Sequence, residues 1–278
     1  MVKNLGLPLG LLLLGVSCES AESVGPVRSL ANFRVEQLPV ELPAPWRDAL
    51  EKELARSPSV PLLAPGASDI VRRSLAGVGW IDPGTVTVET RLPEGMLVTF
   101  KPRRPLYRVL QGGAEVGVVS HGGFLLPPGL SEDLRHPYPA VPLDPDTFLP
   151  APGRKPADPV LAEALRVWPE INALEENSGL DVVRIERQAG VSTTASGVPP
   201  PLCFVLSDGR ELYWGRSEKA ADPYGLPLEL KAARLGAVMR KYPDLGPVRR
   251  LVLDHPRMRA FDHQGKELGI PEEPSSSR

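Results

Sequence analysis

The chain has 278 residues, 42% apolar and 24% charged, with a formal net charge of -2. That length and balance suffice for two folded domains, and the near-neutral charge excludes the basic face of a nucleic-acid binder. The 33 prolines are about twice the usual share, which favours short elements and connectors over long helices.

Lys3 precedes an apolar run at residues 5–16, far short of the ~20 residues that span a bilayer. A basic start, a brief apolar run and small residues after it form the pattern of an export signal. Gly6, Pro8, Gly10 and Gly15 argue against a buried core helix. The run closes with Leu14-Gly15-Val16-Ser17-Cys18. This resembles a bacterial lipobox, with Gly15 where the pattern prefers leucine, and implies lipid attachment at Cys18. A cleaved signal and a short uncleaved anchor are the alternatives. All three place the chain beyond Cys18 in the envelope, on the periplasmic side. Residues 1–18 thus read as a signal peptide or anchor, and 19–27 as a tether.

Phe33-Arg34-Val35-Glu36-Gln37-Leu38 alternates as a half-buried strand does. Residues 46–56 have helical spacing, with Trp46, Leu50 and Leu54 on one face. A second helix is predicted from an N-cap at Ser68, with Ile70, Val71, Leu75 and Val78 apolar and Gly77 and Gly79 at its end. Residues 85–90 and 96–101 read as a strand pair around Pro93-Glu94-Gly95. Two helices on one face of a three-stranded sheet give a small but adequate core.

The second half opens with strands at 106–110 and 115–119 around Gly112-Gly113, then the turn Ser120-His121-Gly122-Gly123-Phe124. Residues 137–152 read as a proline-rich connector. A helix over 158–177 is predicted to kink or split at Pro169 and to end at Gly179. A strand at 180–186 follows, then a mobile Gly/Ser/Thr/Pro-rich loop at 188–201. Asp208-Gly209 joins strands at 202–206 and 211–214, a strong hairpin pattern. A helix over 226–242 stops at Pro243, strands are predicted at 248–254 and 257–262, and 266–278 reads as a disordered tail.

The order of these elements resembles the FtsQ/DivIB cell-division family. Residues 28–104, closing on Trp80-Ile81 and Lys101-Pro102-Arg103-Arg104-Pro105, resemble its POTRA domain, without the glutamate of the family's basic run. Residues 105–265 are similar to its β-domain. The shared pieces are Asp208-Gly209, Trp214-Gly215, Lys231 with Arg234-Leu235, Tyr242-Pro243, and Arg249-Arg250-Leu251-Val252-Leu253-Asp254. Ser120 stands where the family has Asp. The family also carries a cytoplasmic tail and a full transmembrane helix, which residues 5–16 are too short to supply. The resemblance implies an α+β protein: a POTRA-like β-α-α-β-β domain, then a mixed β-domain with two helices.

No catalytic pattern competes. His121, His136, His255 and His263 share no metal-ligand spacing, and no HExxH, CxxC, GxSxG or P-loop occurs. His121, Asp208, Asp254 and His255 read as turn and surface residues rather than a triad. Gly112-Gly113 and Gly122-Gly123 read as hairpin glycines, and Cys203 as a buried inert thiol. Arg72-Arg73 and Arg103-Arg104 read as solvated faces, with anionic lipid or a partner protein as the alternative. No cofactor, metal or small-molecule substrate is implied.

The surface singled out is the last predicted strand: Arg257, Met258, Arg259, Ala260, Phe261 and Asp262. A terminal strand offers unpaired N–H and C=O groups to an incoming strand. In FtsQ-like proteins the resemblance implies an FtsB/FtsL-type partner there. The contrary reading is an edge guarded by its own charges. The expected function is a non-enzymatic division scaffold linking partners to septal peptidoglycan synthesis. The alternatives are a lipid-anchored envelope assembly or secretion factor and, from another class, a secreted hydrolase.

Overall fold

A computed structural model describes residues 27–28, 34–35, 44–56, 60–61, 65–91, 95–127, 138–189, 198–220 and 225–270. The chain forms a mixed α+β structure in two compact units, Met1–Pro102 and Arg103–Arg278.

The first unit contains β1 (Val27–Arg28), β2 (Arg34–Val35), α1 (Ala44–Arg56), β3 (Val60–Pro61), α2 (Ala67–Ala76), β4 (Thr87–Arg91) and β5 (Gly95–Thr99). Its three-stranded sheet has the order β2-β5-β4. β5 lies in the middle, parallel to β2 and antiparallel to β4. β1 and β3 form a separate antiparallel pair that the sequence did not announce. The core is aromatic. Trp46 meets Trp80 edge-on at 5.2 Å, and Trp80 meets Phe100 at 6.1 Å, a preferred ring geometry. Leu50, Val71, Leu75, Ile81 and Val98 fill the space around them. The burial of Leu54 and the rest of the predicted 33–38 strand lie outside the described residues.

One cap differs from expectation. Helix α2 begins after Gly66, not at Ser68. Gly66 sits at φ 77°, a left-handed conformation open to glycine. Its carbonyl accepts the Ile70 N–H at 3.0 Å, and Ala67 is already buried as the first helical residue.

The second unit is one sheet with helices against one face. Its elements are β6 (Pro105–Gln111), β7 (Ala114–Ser120), β8 (Leu125–Leu126), β9 (Ala140–Leu143), α3 (Pro159–Ser178), β10 (Val182–Arg187), β11 (Leu202–Leu206), β12 (Glu211–Gly215), α4 (Leu228–Lys241), β13 (Arg250–Val252), β14 (Arg259–Phe261) and β15 (Glu267–Leu268). The ten strands lie in the order β15-β14-β13-β12-β11-β10-β9-β6-β7-β8. The hairpin turns are as expected, with Gly112 and Gly113 at φ 57° and 86° and Gly209 at 83°.

Two expectations give way here. Residues 137–152 are not only a connector, because β9 lies inside the sheet, parallel to both β6 and β10. Pro139 and Pro142 hid it. Pro142 is tolerated because β10 pairs with β9 only at Ala140, so the missing N–H lies past that ladder. Pro169 does not split α3, which runs as one helix of 20 residues. Core residues on both sides of it, Leu161, Ala164 and Val167 before and Ile171 and Leu174 after, hold the two halves to one face. The ends of α3 follow the sequence. The Asp158 carboxylate accepts the Val160 and Leu161 N–H groups at 2.8 and 2.9 Å, and Gly179 closes the helix at φ 65°.

Candidate functional site

Period-2 alternation divides β12–β15 into two faces. Register pairs Leu212 with Leu251 and Leu251 with Ala260. These face inward, and with Trp214, Leu253 and Met258 they join α3 and α4 in one core. The same register aligns Glu211, Arg250, Phe261 and Glu267 in one row across the outer face, with Tyr213, Val252 and Arg259 in the next.

The outer face couples arginines to rings. The Arg250 guanidinium lies 4.7 Å from the Phe261 centroid and 5.7 Å from Tyr213, and Arg259 lies 5.0 Å from Phe261. Arg259 also grips the Glu267 carboxylate with two bonds, at 3.2 and 2.9 Å. The hydrogen bond to Glu267, and then its charge, raises the Arg259 pKa, and the Arg259 bond lowers that of Glu267. The pair ties β15 to β14.

This corrects the terminal-strand expectation. Strand β14 is not an edge, because β15 covers it, pairing Ala260 with Leu268 and Phe261 with Glu267. A turn centred on Asp262 makes the extra hairpin. Its carboxylate accepts the Gln264 and Lys266 N–H groups at 2.8 and 2.9 Å, and Gly265 takes φ 77°. The tail expectation therefore fails at Glu267 and Leu268, while 271–278 lie outside the described residues. Of the six singled-out residues, Met258 and Ala260 are 3% and 0% exposed core residues. Arg257 and Arg259 are exposed, and Phe261 and Asp262 are half-buried. At this end of the ten-stranded sheet the edge strand is β15. Asp262 donates its N–H to the Lys266 carbonyl at 3.0 Å, so alternation turns the N–H groups of Glu267 and Gly269 outward.

Behind this surface lies a buried polar cluster. Glu163, Glu170, Ser217, Lys231 and Arg234 are each 3% exposed or less. Glu170, on α3, accepts the Trp214 indole N–H at 2.5 Å, the Lys231 ammonium at 3.1 Å and the Glu218 N–H at 2.9 Å. Lys231, on α4, also donates to the Arg216 carbonyl at 2.6 Å. Glu163 accepts from the Ser217 N–H at 2.6 Å and from Arg166 at 2.9 Å. Burial pushes the Lys231 pKa down, and Glu170 opposes that shift. An ammonium with no exposed surface cannot meet a substrate. The cluster is a rivet joining α3, α4, β12 and the loop after it.

Arg234 extends the rivet toward the outer strands. It donates to the carbonyls of Leu253 (2.5 Å), His255 (2.7 Å) and Pro256 (3.1 Å), fixing the turn that launches β14. Gly215 belongs to the same corner. At φ 82°, a Cβ there would lie 2.4 Å from the Asp254 Cβ. Burial raises the Asp254 pKa, with Lys231 pulling it back. The residues the sequence marked as shared pieces, Trp214-Gly215, Lys231, Arg234 and Asp254, thus meet at one junction. Their partners Glu163 and Glu170 were missed, because nothing local ties α3 to a lysine 61 positions later.

The other singled-out residues stay apart from this junction. His121 packs on Trp168 at 5.7 Å in its own turn, and burial followed by the nearby Arg104 charge lowers its pKa. His255 and its neighbour Arg257 close a local turn. Cys203 is buried, and burial pushes its thiol up to about 12. Cys18 lies outside the described residues. Among the described residues, no group of three or more His, Cys, Asp or Glu could hold a metal ion, and no helix is long and apolar enough to cross a membrane. No family model matches the chain, and no curated protein matches it.

Proposed function

We propose that this chain is a non-enzymatic extracytoplasmic scaffold of the bacterial division machinery, of the FtsQ/DivIB type. It captures an FtsB/FtsL-like partner by strand addition and links it to septal peptidoglycan synthesis. The observation that carries this reading is the pairing of an open main-chain edge at β15 with the arginine-aromatic face of Tyr213, Arg250, Phe261 and Arg259 beside it. Main-chain pairing supplies affinity, and the side chains on the adjoining face supply specificity. Large aromatics and arginines are the residue types that dominate binding hot spots. The strand-helix-helix-strand-strand path of the first unit, with sheet order β2-β5-β4, supports a POTRA-like assignment there.

Deleting residues 257–262 would remove an inner strand, so the test uses the edge itself. Gly269→Pro removes an outward N–H and leaves the bond from Tyr242 Oη to the Gly269 carbonyl available. The variant is expected to keep its fold by circular dichroism and to lose crosslinking to periplasmic division proteins. Full crosslinking in a folded Gly269→Pro chain sinks the strand-addition mechanism.

The second reading is a lipid-anchored envelope assembly or secretion factor using the same surface. Cys18 at the end of a short apolar run favours it. Radiolabelled palmitate incorporation that is lost in Cys18→Ala, with even envelope staining in dividing cells, would select it.

A further inference from the structure

Away from the β15 surface, the two helices of the second unit leave a slot between them. Glu170 on α3 and Lys231 on α4 bring the helices together through a 3.1 Å ion pair. Beyond that contact the residues lining the space between them include Ala173, Ala232 and Gly236. Side chains this short leave a cavity of about 310 Å³. Trp214, Leu174 and Leu235 also line it, yet they are only 1%, 6% and 3% exposed. The slot is therefore narrow, and a second helix about 10 Å wide cannot enter it. Along α4 the lining runs from Leu228 to Met239, roughly 16 Å at 1.5 Å per residue. That shape admits a slender chain.

Gly236 is a residue that packing does not require. It lies inside α4 and takes no positive φ. A Cβ there would meet only Arg240 Nη1, at 3.5 Å, an ordinary contact. Glycine inside a helix is destabilising relative to alanine, so what it contributes here is room. The charge at the slot is one-sided. Glu229 is the one charged residue among the described residues that line it, and it is exposed. Its carboxylate has no ion pair or hydrogen bond among the described residues. Asn177 and Ser178 donate back to the α3 carbonyls of Ala173 and Leu174, at 2.6 and 2.5 Å. Arg240 stands beside Gly236, roughly 10 Å of helix away from Glu229. An ammonium on a bound chain is therefore drawn to the Glu229 end and repelled from the other.

We propose that the slot between α3 and α4 binds a small cationic amphiphile, an amine with an aliphatic tail, its ammonium at Glu229 and its tail along Ala232, Gly236 and Met239. An apolar cavity of about 150 Å³ takes benzene, so this one has space for roughly twelve heavy atoms. That is the low end of the range for ligand pockets. The sequence reading implied no small-molecule ligand, because the lining comes from two helices that only the fold brings together. The site is independent of the division reading and stands or falls separately.

The test uses the full chain, isotope-labelled, at neutral pH. The probes are n-octylamine, 1-octanol and octanoate, one tail carrying a cationic, a neutral or an anionic head. Signals of Ala173, Gly236 and Met239 are followed. Octylamine is expected to shift them and to bind about threefold or more tightly than octanol, the size of one exposed ion contact. Octanoate should bind most weakly. Glu229→Gln should erase the preference for the amine and leave octanol binding in place. Gly236→Leu should fill the slot and lose all three probes. It is expected to unfold at the parent's temperature or above it, since leucine is the better helix former. Ala232→Leu, at an exposed lining position, should give the same loss and serves if Gly236→Leu folds poorly. No response from the parent, equal binding of amine and octanol, or undiminished binding in the leucine variants overturns the proposal. Loss of crosslinking to periplasmic division proteins in those variants, with no response of the parent to octylamine, also overturns it and gives the slot to a partner's side chain.

Discussion

The two sides of β12–β15, the helix-packed inner side and the outer face, gather similar residues in opposite roles. Inside, Lys231, Glu170, Arg234 and Trp214 are buried and bonded to named partners. Outside, Arg250, Arg259, Phe261 and Tyr213 are held by ring contacts and an exposed ion pair. A buried charge is costly to strand and so locks geometry. An exposed one costs little to move and remains available to a second molecule. The inner charges therefore fix where the outer ones stand. Arg234 fixes the 253–256 turn, the turn sets β14, and β14 carries Arg259 and Phe261.

Substitutions can break this contrast, beginning with the inner face. Lys231→Ala would leave Glu170 charged and buried without its counter-ion. A loss of about 3–5 kcal/mol is expected in urea unfolding. A loss as small as that of a surface substitution would remove the rivet from the account. Gly215→Ala meets both a positive φ and the Asp254 side chain, and about 1–3 kcal/mol of strain is expected. Trp214→Phe keeps the ring but leaves Glu170 short of one donor, for about 1–3 kcal/mol. Asp158→Ala, which removes only a helix cap, should cost about 1 kcal/mol.

On the outer face the order of effects should invert. Arg250→Ala removes contacts to two rings and should cost only about 0.5–1 kcal/mol of stability. Its expected loss in partner binding is larger, about 2 kcal/mol or more, if it is a hot spot. The comparison sharpens if calorimetry of binding and urea unfolding rank Arg250→Ala and Trp214→Phe in opposite orders, and it fails if both measurements rank them alike.

The smallest expected effect is a pH dependence at Cys203. Its folded thiol keeps its proton up to about 12 against an ordinary 9.0. The unfolded chain then releases that proton first. This contribution to stability is whole below pH 9 and is lost as pH rises above it. The stability advantage of the parent over Cys203→Ala should therefore shrink as pH rises from 9 toward 12. In the folded parent the thiol should resist aromatic disulfide reagents at pH 8 and react once urea unfolds the chain.

How much of this was legible depended on how local the cause was. Gly112-Gly113, Asp208-Gly209, Asp158 and Gly179 mark turns and caps with their own chemistry, so those boundaries could be read directly. Strand β9 could not, because Pro139 and Pro142 look like a connector until the sheet shows that the pairing of β9 with β10 ends at Ala140. Strand β15 was hidden by composition. Lys266 and Glu267 read as tail residues, and their order comes from the Asp262 turn and the Arg259 contact. Lys231 and Arg234 stood out in the sequence as pieces of a pattern. Their tasks became visible only when α3 and the 253–256 carbonyls were brought beside them.

The most direct test of the division reading is localisation in dividing cells. The full chain would carry an extracytoplasmically maturing fluorophore at its C-terminus behind a long flexible linker, with Gly269→Pro imaged beside it. The expected result is a mid-cell band for the parent that fades in the variant. An even envelope signal through constriction for both chains would contradict it.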